Sequence, residues 1–178
     1  FALLSREIND LHGKTLGIIG KGSIGMKVGR IAKAFGMNIN YFSVRNYKKT
    51  QFLKFLSSLD YLSIHCPLNE KTKDLITIKE LKIMKKNMIL INTARGGIVN
   101  ENDLTKALKQ KIIAGAGIDV TTSEPPKKSH AYYSILNEAN FIWTPHTAWA
   151  SNETLQEAIN QLIKNINSFY KGRKRNIV

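Results

Sequence analysis

The chain has 178 residues, 27 Lys and Arg against 13 Asp and Glu, a formal net charge of +14, and 43% hydrophobic residues. That describes one globular domain with a tail, too apolar for a disordered chain. Its longest apolar runs, such as 88–91 and the glycine-interrupted 112–118, fall far short of the roughly 20 residues a membrane-spanning helix needs. The lone cysteine, Cys66, excludes an internal disulfide framework and an all-cysteine metal site. With no signal peptide before the first strand, a cytoplasmic location is expected.

Six short apolar runs, at 16–19, 39–42, 61–64, 88–91, 114–118 and 141–143, read as buried strands. Amphipathic patterns at 24–35, 54–58, 78–84 and 101–109 read as helices between them, the last opened by an Asn100 cap. An irregular connection carrying Pro125 and Pro126 leads to the last strand. A final amphipathic helix follows Ser151, with Leu155, Ile159, Leu162, Ile163 and Ile166 on one stripe, and stops near Gly172. Parallel strands need crossovers, so this alternation predicts an α/β fold: a doubly wound parallel sheet with helices on both faces, plus the C-terminal helix. Residues 1–150 are assigned to the sheet domain and 151–178 to the helix and a basic tail.

The positive charge has a plain origin. Of the basic residues 21 are Lys and 6 are Arg, scattered except at 48–49, 85–86, 127–128 and 171–175. No helix carries an array suited to reading bases, and the chain is also rich in Ile and Asn, whose codons share A/T richness with those of Lys. No specific nucleic-acid partner and no membrane partner are expected, since net charge speaks to solubility and non-specific binding.

Gly20-Lys21-Gly22-Ser23-Ile24-Gly25 lies between the first strand and the first helix, the context in which G-x-G-x-x-G carries weight. Gly20 would allow the tight turn, Gly22 the approach of a pyrophosphate, and Gly25 close packing of helix on strand. The helix start then offers free N–H groups and a positive dipole end to the anion. A carboxylate ending the second strand would hold the ribose hydroxyls of NAD; Ser43 stands there, followed by Arg45, Lys48 and Lys49. Cations beside a missing carboxylate suit a 2′-phosphate, so NADP is favoured over NAD. The plainer reading makes the two lysines a solvated face.

Ligands of open α/β sheets bind outside the carboxyl ends of the strands. There the fourth strand runs into Asn92-Thr93-Ala94-Arg95, the fifth into Asp119 and Glu124, and the sixth into Thr144-Pro145-His146. A fixed guanidinium suits a carboxylate-bearing substrate, and a histidine held by a carboxylate is a competent proton donor. Taken singly, Arg95 could be a surface ion pair, Asp119 and Glu124 turn formers, and His146 a structural histidine. His65 and Cys66 face opposite sides of a strand end and are no metal pair. His12 and His130 fall in predicted loops and carry no argument.

In this order the glycine turn, His65-Cys66-Pro67-Leu68 with Thr72, Asn92–Val99, Gly117-Ile118-Asp119-Val120 with Glu124-Pro125, and Thr144-Pro145-His146 resemble the D-isomer-specific 2-hydroxyacid dehydrogenases. The run Thr147-Ala148-Trp149-Ala150-Ser151 resembles the glycerate dehydrogenase/hydroxypyruvate reductase branch in particular. The resemblance implies a Rossmann-type fold in which Arg95 binds the substrate carboxylate and carbonyl, His146 delivers or removes the proton, and Glu124 keeps His146 protonated for reduction. It implies that Asp119 holds the nicotinamide carboxamide and that Cys66, Pro67 and Thr72 line the adenosine and phosphate side. Thr93, Ala94 and Ala148 join the expected cofactor contacts. It also implies hydride transfer between NAD(P)H and a 2-oxo acid such as hydroxypyruvate or glyoxylate, and a homodimer. Members are two-lobed, and the substrate lobe that precedes the nucleotide-binding lobe is absent from these residues. Positions 1–12 are accordingly read as part of the interlobe connection, and the chain alone offers half a cleft. The alternative is a dinucleotide-sensing, corepressor-like interaction protein.

Overall fold

Alternation along the first strand decides how the sheet is covered. In β1 (Thr15–Ile19), Leu16 and Ile18 turn to one face, where they pack with Ala32, Met37 and the partly buried Val28. Ile19 joins the larger cluster on the other face, with Phe52, Leu56, Leu81, Leu104 and Tyr132. This is the period-two division that lets helices cover both sides of a parallel sheet. The computed structural model describes residues 8–177, so positions 1–7 of the expected connection lie outside the described residues.

After β1 come α1 (Ser23–Ala34), β2 (Asn38–Phe42), α2 (Lys49–Ser57), β3 (Tyr61–Ile64), α3 (Ile78–Leu81), β4 (Ile89–Asn92), α4 (Glu101–Lys109), β5 (Gly115–Ile118), β6 (Phe141–Trp143) and α5 (Asn152–Tyr170). The six strands form one parallel sheet in the order β2-β1-β3-β4-β5-β6. The strand order reverses beside β1, the point at which open α/β sheets leave a crevice at their carboxyl ends.

The predicted strands are all present, with shifts that have local causes. Asn92 pairs with Ile64 and Ile118 and so belongs to β4, while Met88 precedes it. α1 begins at Ser23 because the Gly22 carbonyl already accepts from the Met26 amide at 2.9 Å. α2 starts at Lys49, well before the predicted 54, because Phe52 is buried against Phe42 and Phe55, and that packing overrides a polar first turn. α3 stops at Leu81: the amides of Ile83 and Met84 turn to the carbonyls of Glu80 and Leu81, tightening the last turn. The connection before β6, read as irregular, contains a short 3-10 turn at Ala131–Ile135 that buries Tyr132 and Ile135.

The chain divides into two compact units at Pro145/His146, against the 150/151 boundary read from the sequence. In the second unit Ser151 caps α5 by accepting from the Thr154 amide at 3.1 Å, and none of the helix residues is buried. The stripe of Leu155, Ile159, Leu162, Ile163 and Ile166 is exposed. Arg175 folds back on the helix, donating to Gln161 and Asn165. No helix among the described residues is long and apolar enough to cross a membrane.

Candidate functional site

The glycine turn sits where the carboxyl ends of three strands meet. The Gly20 amide donates to the Phe42 carbonyl at 3.0 Å, and the His65 amide to the Ile19 carbonyl at 2.7 Å. Gly20 has φ +104°, and a Cβ there would run into the His65 carbonyl. A Cβ on Gly25 would meet the Gly20 carbonyl and the Ile18 side chain, so this glycine lets α1 press onto β1. At Gly22 a Cβ would meet nothing within 4 Å. Gly22 is the N-cap and offers no side-chain cap, which leaves the first-turn amides of Ser23, Ile24 and Gly25 without an intrahelical acceptor. Open space beside uncapped amides at the positive end of a helix fits a pyrophosphate.

At the end of β2, Ser43 is exposed and accepts from the Arg45 amide at 3.4 Å, which opens a 3-10 turn over Val44–Asn46. Val44, Arg45, Asn69, Glu70 and Lys71 line a hollow of about 500 Å³. Lys48 and Lys49 are exposed at the start of α2.

At the end of β3, Ser63 Oγ lies 2.8 Å from Nε2 of His65, and burial pushes the His65 pKa down, favouring the neutral ring. Cys66 is buried, and burial pushes its thiol up to about 11, which keeps it protonated at neutral pH. Pro67 is at the surface. Thr72 is completely buried; its hydroxyl donates to the Pro67 carbonyl at 2.7 Å and accepts from the Asn69 amide at 2.8 Å. Thr72 therefore holds the loop from beneath, while Pro67 is the member of this group that a ligand can reach.

Beyond β4, Asn92 is buried and clips the next turn from both sides: Oδ1 accepts from the Ala94 amide at 3.0 Å, and Nδ2 donates to the Arg95 carbonyl at 2.9 Å. Thr93 and the Arg95 side chain are exposed, with Nη1 donating to the Ala94 carbonyl at 2.6 Å. Sequence reasoning placed Asn92 in a motif without a role; the structure assigns it the positioning of Arg95. Beyond β5, Asp119 is buried, its amide donates to the Asn92 carbonyl at 3.0 Å, and its carboxylate accepts from the Thr144 hydroxyl. The exposed Glu124 accepts from the Thr121 amide at 3.0 Å. Arg95, Asp119 and Glu124 thus gather along the edge that also carries the glycine turn.

His146 opens the second unit. It is half-buried with φ +53°, a left-handed backbone that costs a non-glycine residue and is sustained only where surroundings impose it. Thr147 and Ala148 follow, exposed. His130 lies in a loop, as the sequence predicts, with surroundings the sequence did not show. It caps the 3-10 turn, its side chain is 8% exposed, and it pairs with Glu101 at 2.8 Å.

Residues 3–148 match the family description "D-isomer specific 2-hydroxyacid dehydrogenase, NAD binding domain". A glycerate dehydrogenase of Methylorubrum extorquens is 42% identical over 100% of this chain and 57% of its own length. A glyoxylate reductase of Thermococcus litoralis is 40% identical over 91% of this chain and 50% of its own. Among solved structures, the NAD-complexed D-isomer specific 2-hydroxyacid dehydrogenase of Lactobacillus delbrueckii ssp. bulgaricus superposes with TM-score 0.85 at 30% identity, covering 94% of this chain and 56% of that one. The chain therefore spans little more than half the length of the relatives it matches. It belongs to the D-isomer specific 2-hydroxyacid dehydrogenases, of which it carries the NAD-binding domain.

Proposed function

We propose that the intact protein reduces a small 2-oxo acid, such as hydroxypyruvate or glyoxylate, to the 2-hydroxy acid, with NADP favoured over NAD. The observation that carries this reading is the gathering of Arg95, Asp119 and Glu124 at the carboxyl ends of β4 and β5, on the sheet edge that holds the glycine turn. The names of the relatives, glycerate dehydrogenase, glyoxylate reductase and hydroxypyruvate reductase, support it.

Gly20, Gly22, Gly25 and the amides of Ser23 and Ile24 would hold the pyrophosphate, Pro67 the adenosine side, and Asp119 with Thr93, Ala94 and Ala148 the nicotinamide side. When bound, the reduced nicotinamide supplies the hydride. The planar fork of Arg95 fits a carboxylate and an adjacent carbonyl oxygen together, which fixes the substrate's C2 in place. His146 donates the proton that the carbonyl oxygen takes up, and in the reverse direction accepts it. Glu124 is the acidic member of the candidate catalytic set. Ser43 in place of a carboxylate, with Arg45 in the adjoining hollow, supports the 2′-phosphorylated cofactor. The partners assigned are the small acid and a second copy of the chain, for which Ile24 and Ile31 of α1 and Phe35 at its C-cap are exposed. A cytoplasmic address suits a chain whose one thiol is unpaired.

Calorimetric titration of the chain with NADPH and with NADH tests the cofactor half of this reading, and saturable one-site binding is expected. Turnover of the intact protein tests the other half. His146→Gln is expected to lower kcat by about a thousandfold, within the range a general acid contributes with its supporting groups, while cofactor affinity changes less than about twofold. Undiminished turnover in that variant would remove His146 from the reaction.

A further inference from the structure

Glu101 opens α4, one residue beyond the Asn100 cap and far along the chain from Glu124, yet its carboxylate is spent on the loop that carries Glu124. Its Oε1 accepts from the Thr122 amide at 2.7 Å, and its Oε2 accepts from the Thr122 hydroxyl at 2.8 Å. The same Oε2 lies 2.8 Å from Nε2 of His130. Nδ1 of His130 accepts from the Tyr132 amide at 3.3 Å, so the proton belongs on Nε2, aimed at Glu101. Trp143 stacks on one face of the ring and Tyr132 meets its edge. Both members of the pair are largely buried, with side-chain exposures of 8% and 12%.

Thr122 is joined to both candidate reaction groups. On one side its neighbour Thr121 donates its amide to Glu124, and the Thr121 hydroxyl donates to the Ser123 carbonyl at 2.9 Å, which closes the turn. On the other side the Thr121–Thr122 backbone presses on the turn after Arg95. A Cβ on Gly96 would collide with the Thr121 carbonyl and the Thr122 nitrogen, and one on Gly97 would stand 3.3 Å from Cγ2 of Thr122. Gly96 is a glycine for this reason: the two loops share one packed backbone contact.

We propose that the Glu101–His130 pair is a clamp on Thr122 that positions Glu124 and Arg95 together, one through the Thr121 amide and the other through the contact at Gly96. Neither member of the pair touches the reacting atoms; both are positioning residues for the reaction proposed above, and the inference rests on that reading for its consequence in turnover. The geometry of the clamp stands by itself. A carboxylate that accepts from an amide, a hydroxyl and an imidazole restricts the loop it holds, and charge-assisted bonds are the strong ones. Placement errors of an ångström at reacting groups cost large factors in rate, so a device that fixes two of them at once acts on kcat.

The test uses Glu101→Gln, which keeps shape but turns a donor toward Nε2–H of His130, and Thr122→Val, which deletes the hydroxyl. Amide exchange of the chain is followed by NMR. In both variants the Thr121 and Thr122 amides are expected to exchange about tenfold faster, while the amides of β1 and β3 keep their rates, the pattern of a local opening. In the intact protein kcat is expected to fall about tenfold with the KM for cofactor unchanged. Thr122→Ser, which retains the hydroxyl, is expected to restore both readings. Unchanged exchange at Thr121 in both variants overturns the clamp. Uniform acceleration across the sheet also overturns it, since that marks a fold merely weakened, and so does wild-type kcat in a variant whose Thr121 amide has loosened. If the loop amides respond but the intact wild-type protein reduces no 2-oxo acid, the proposed reaction falls and the clamp on the two loops stands.

Discussion

Ser43 stands where a carboxylate would take the ribose hydroxyls of NAD, and two residues on Arg45 lines a hollow with Asn69, Glu70 and Lys71. Replacing a fixed carboxylate by a hydroxyl removes the repulsion that a 2′-phosphate would meet, and a guanidinium can then bind that phosphate through two parallel hydrogen bonds. Arg45→Ala is therefore expected to weaken NADPH about tenfold in calorimetric titration while NADH changes by less than about twofold, the share of one charge-assisted contact. Equal effects on both cofactors would take Arg45 out of the argument. The glycine turn was legible in the sequence because its meaning is local: a strand end followed by a helix start. Asn92, Thr72 and His130 were not. His130 acts through a tertiary partner, and nothing near it in the chain announces Glu101, 29 residues away; Thr72 and Asn92 bond within their own turns, where a residue pattern does not tell a loop-holding side chain from one that meets a ligand.

Three strands are tied together at their amino ends by one residue, through its carboxylate and its backbone carbonyl. Asp60, just before β3, accepts from the Thr15 amide of β1 at 2.9 Å, from Lys85 Nζ at 2.9 Å and from Asn87 at 3.4 Å, while its own carbonyl accepts from the Ile89 amide of β4. Burial alone would push this carboxyl up, but the bonds from Lys85, Thr15 and Asn87 and the Lys85 charge outweigh it and hold the pKa below the usual carboxylate range. The sign follows by linkage. An unfolded aspartate titrates near about 3.9, so the stabilisation is complete above that value and is lost as pH falls through the lower folded pKa. Asp60→Asn, which leaves the Thr15 amide or the lysine poorly matched, is expected to lower stability at neutral pH by about 1–3 kcal/mol in urea unfolding. The gap from wild type should narrow as pH falls below the ordinary aspartate range, through the lowered pKa of the folded state. A gap independent of pH would show that the cost is packing rather than charge. At this scale the six strands and four of the five helices were legible from periodicity to within a few residues, α4 to the residue through its Asn100 cap. α2 was not, because nothing in its polar first turn competes with the burial of Phe52, a tertiary event invisible to a local pattern.

The balance of 27 basic to 13 acidic residues understates how one-sided the charge is in use. Asp60, Glu80, Glu101, Asp103 and Glu124 each accept from a backbone amide. These carboxylates close turns and cap helices, while most of the lysines are exposed. Ion pairs between Lys and carboxylate include Lys85–Asp60 and the loose Lys106–Asp103 contact at 4.0 Å. Self-repulsion of the cations should then outweigh attraction at low ionic strength, and salt, whose Debye length falls to about 10 Å at 0.1 M, should relieve it. The melting temperature is accordingly expected to rise by a few degrees between about 20 and 200 mM sodium chloride, a shift that corresponds to roughly 1 kcal/mol for a domain of this size. A melting temperature that fell over the same range would mean that surface ion pairs hold the fold together. The same excess gives any DNA retained at low salt a steep release with added salt and no preference for sequence, because phosphate attraction without base contacts carries no specificity. The cofactor and the substrate proposed above are anions too, so their association should slow as salt rises, while the groups at the strand ends, and not the net charge, continue to choose between them.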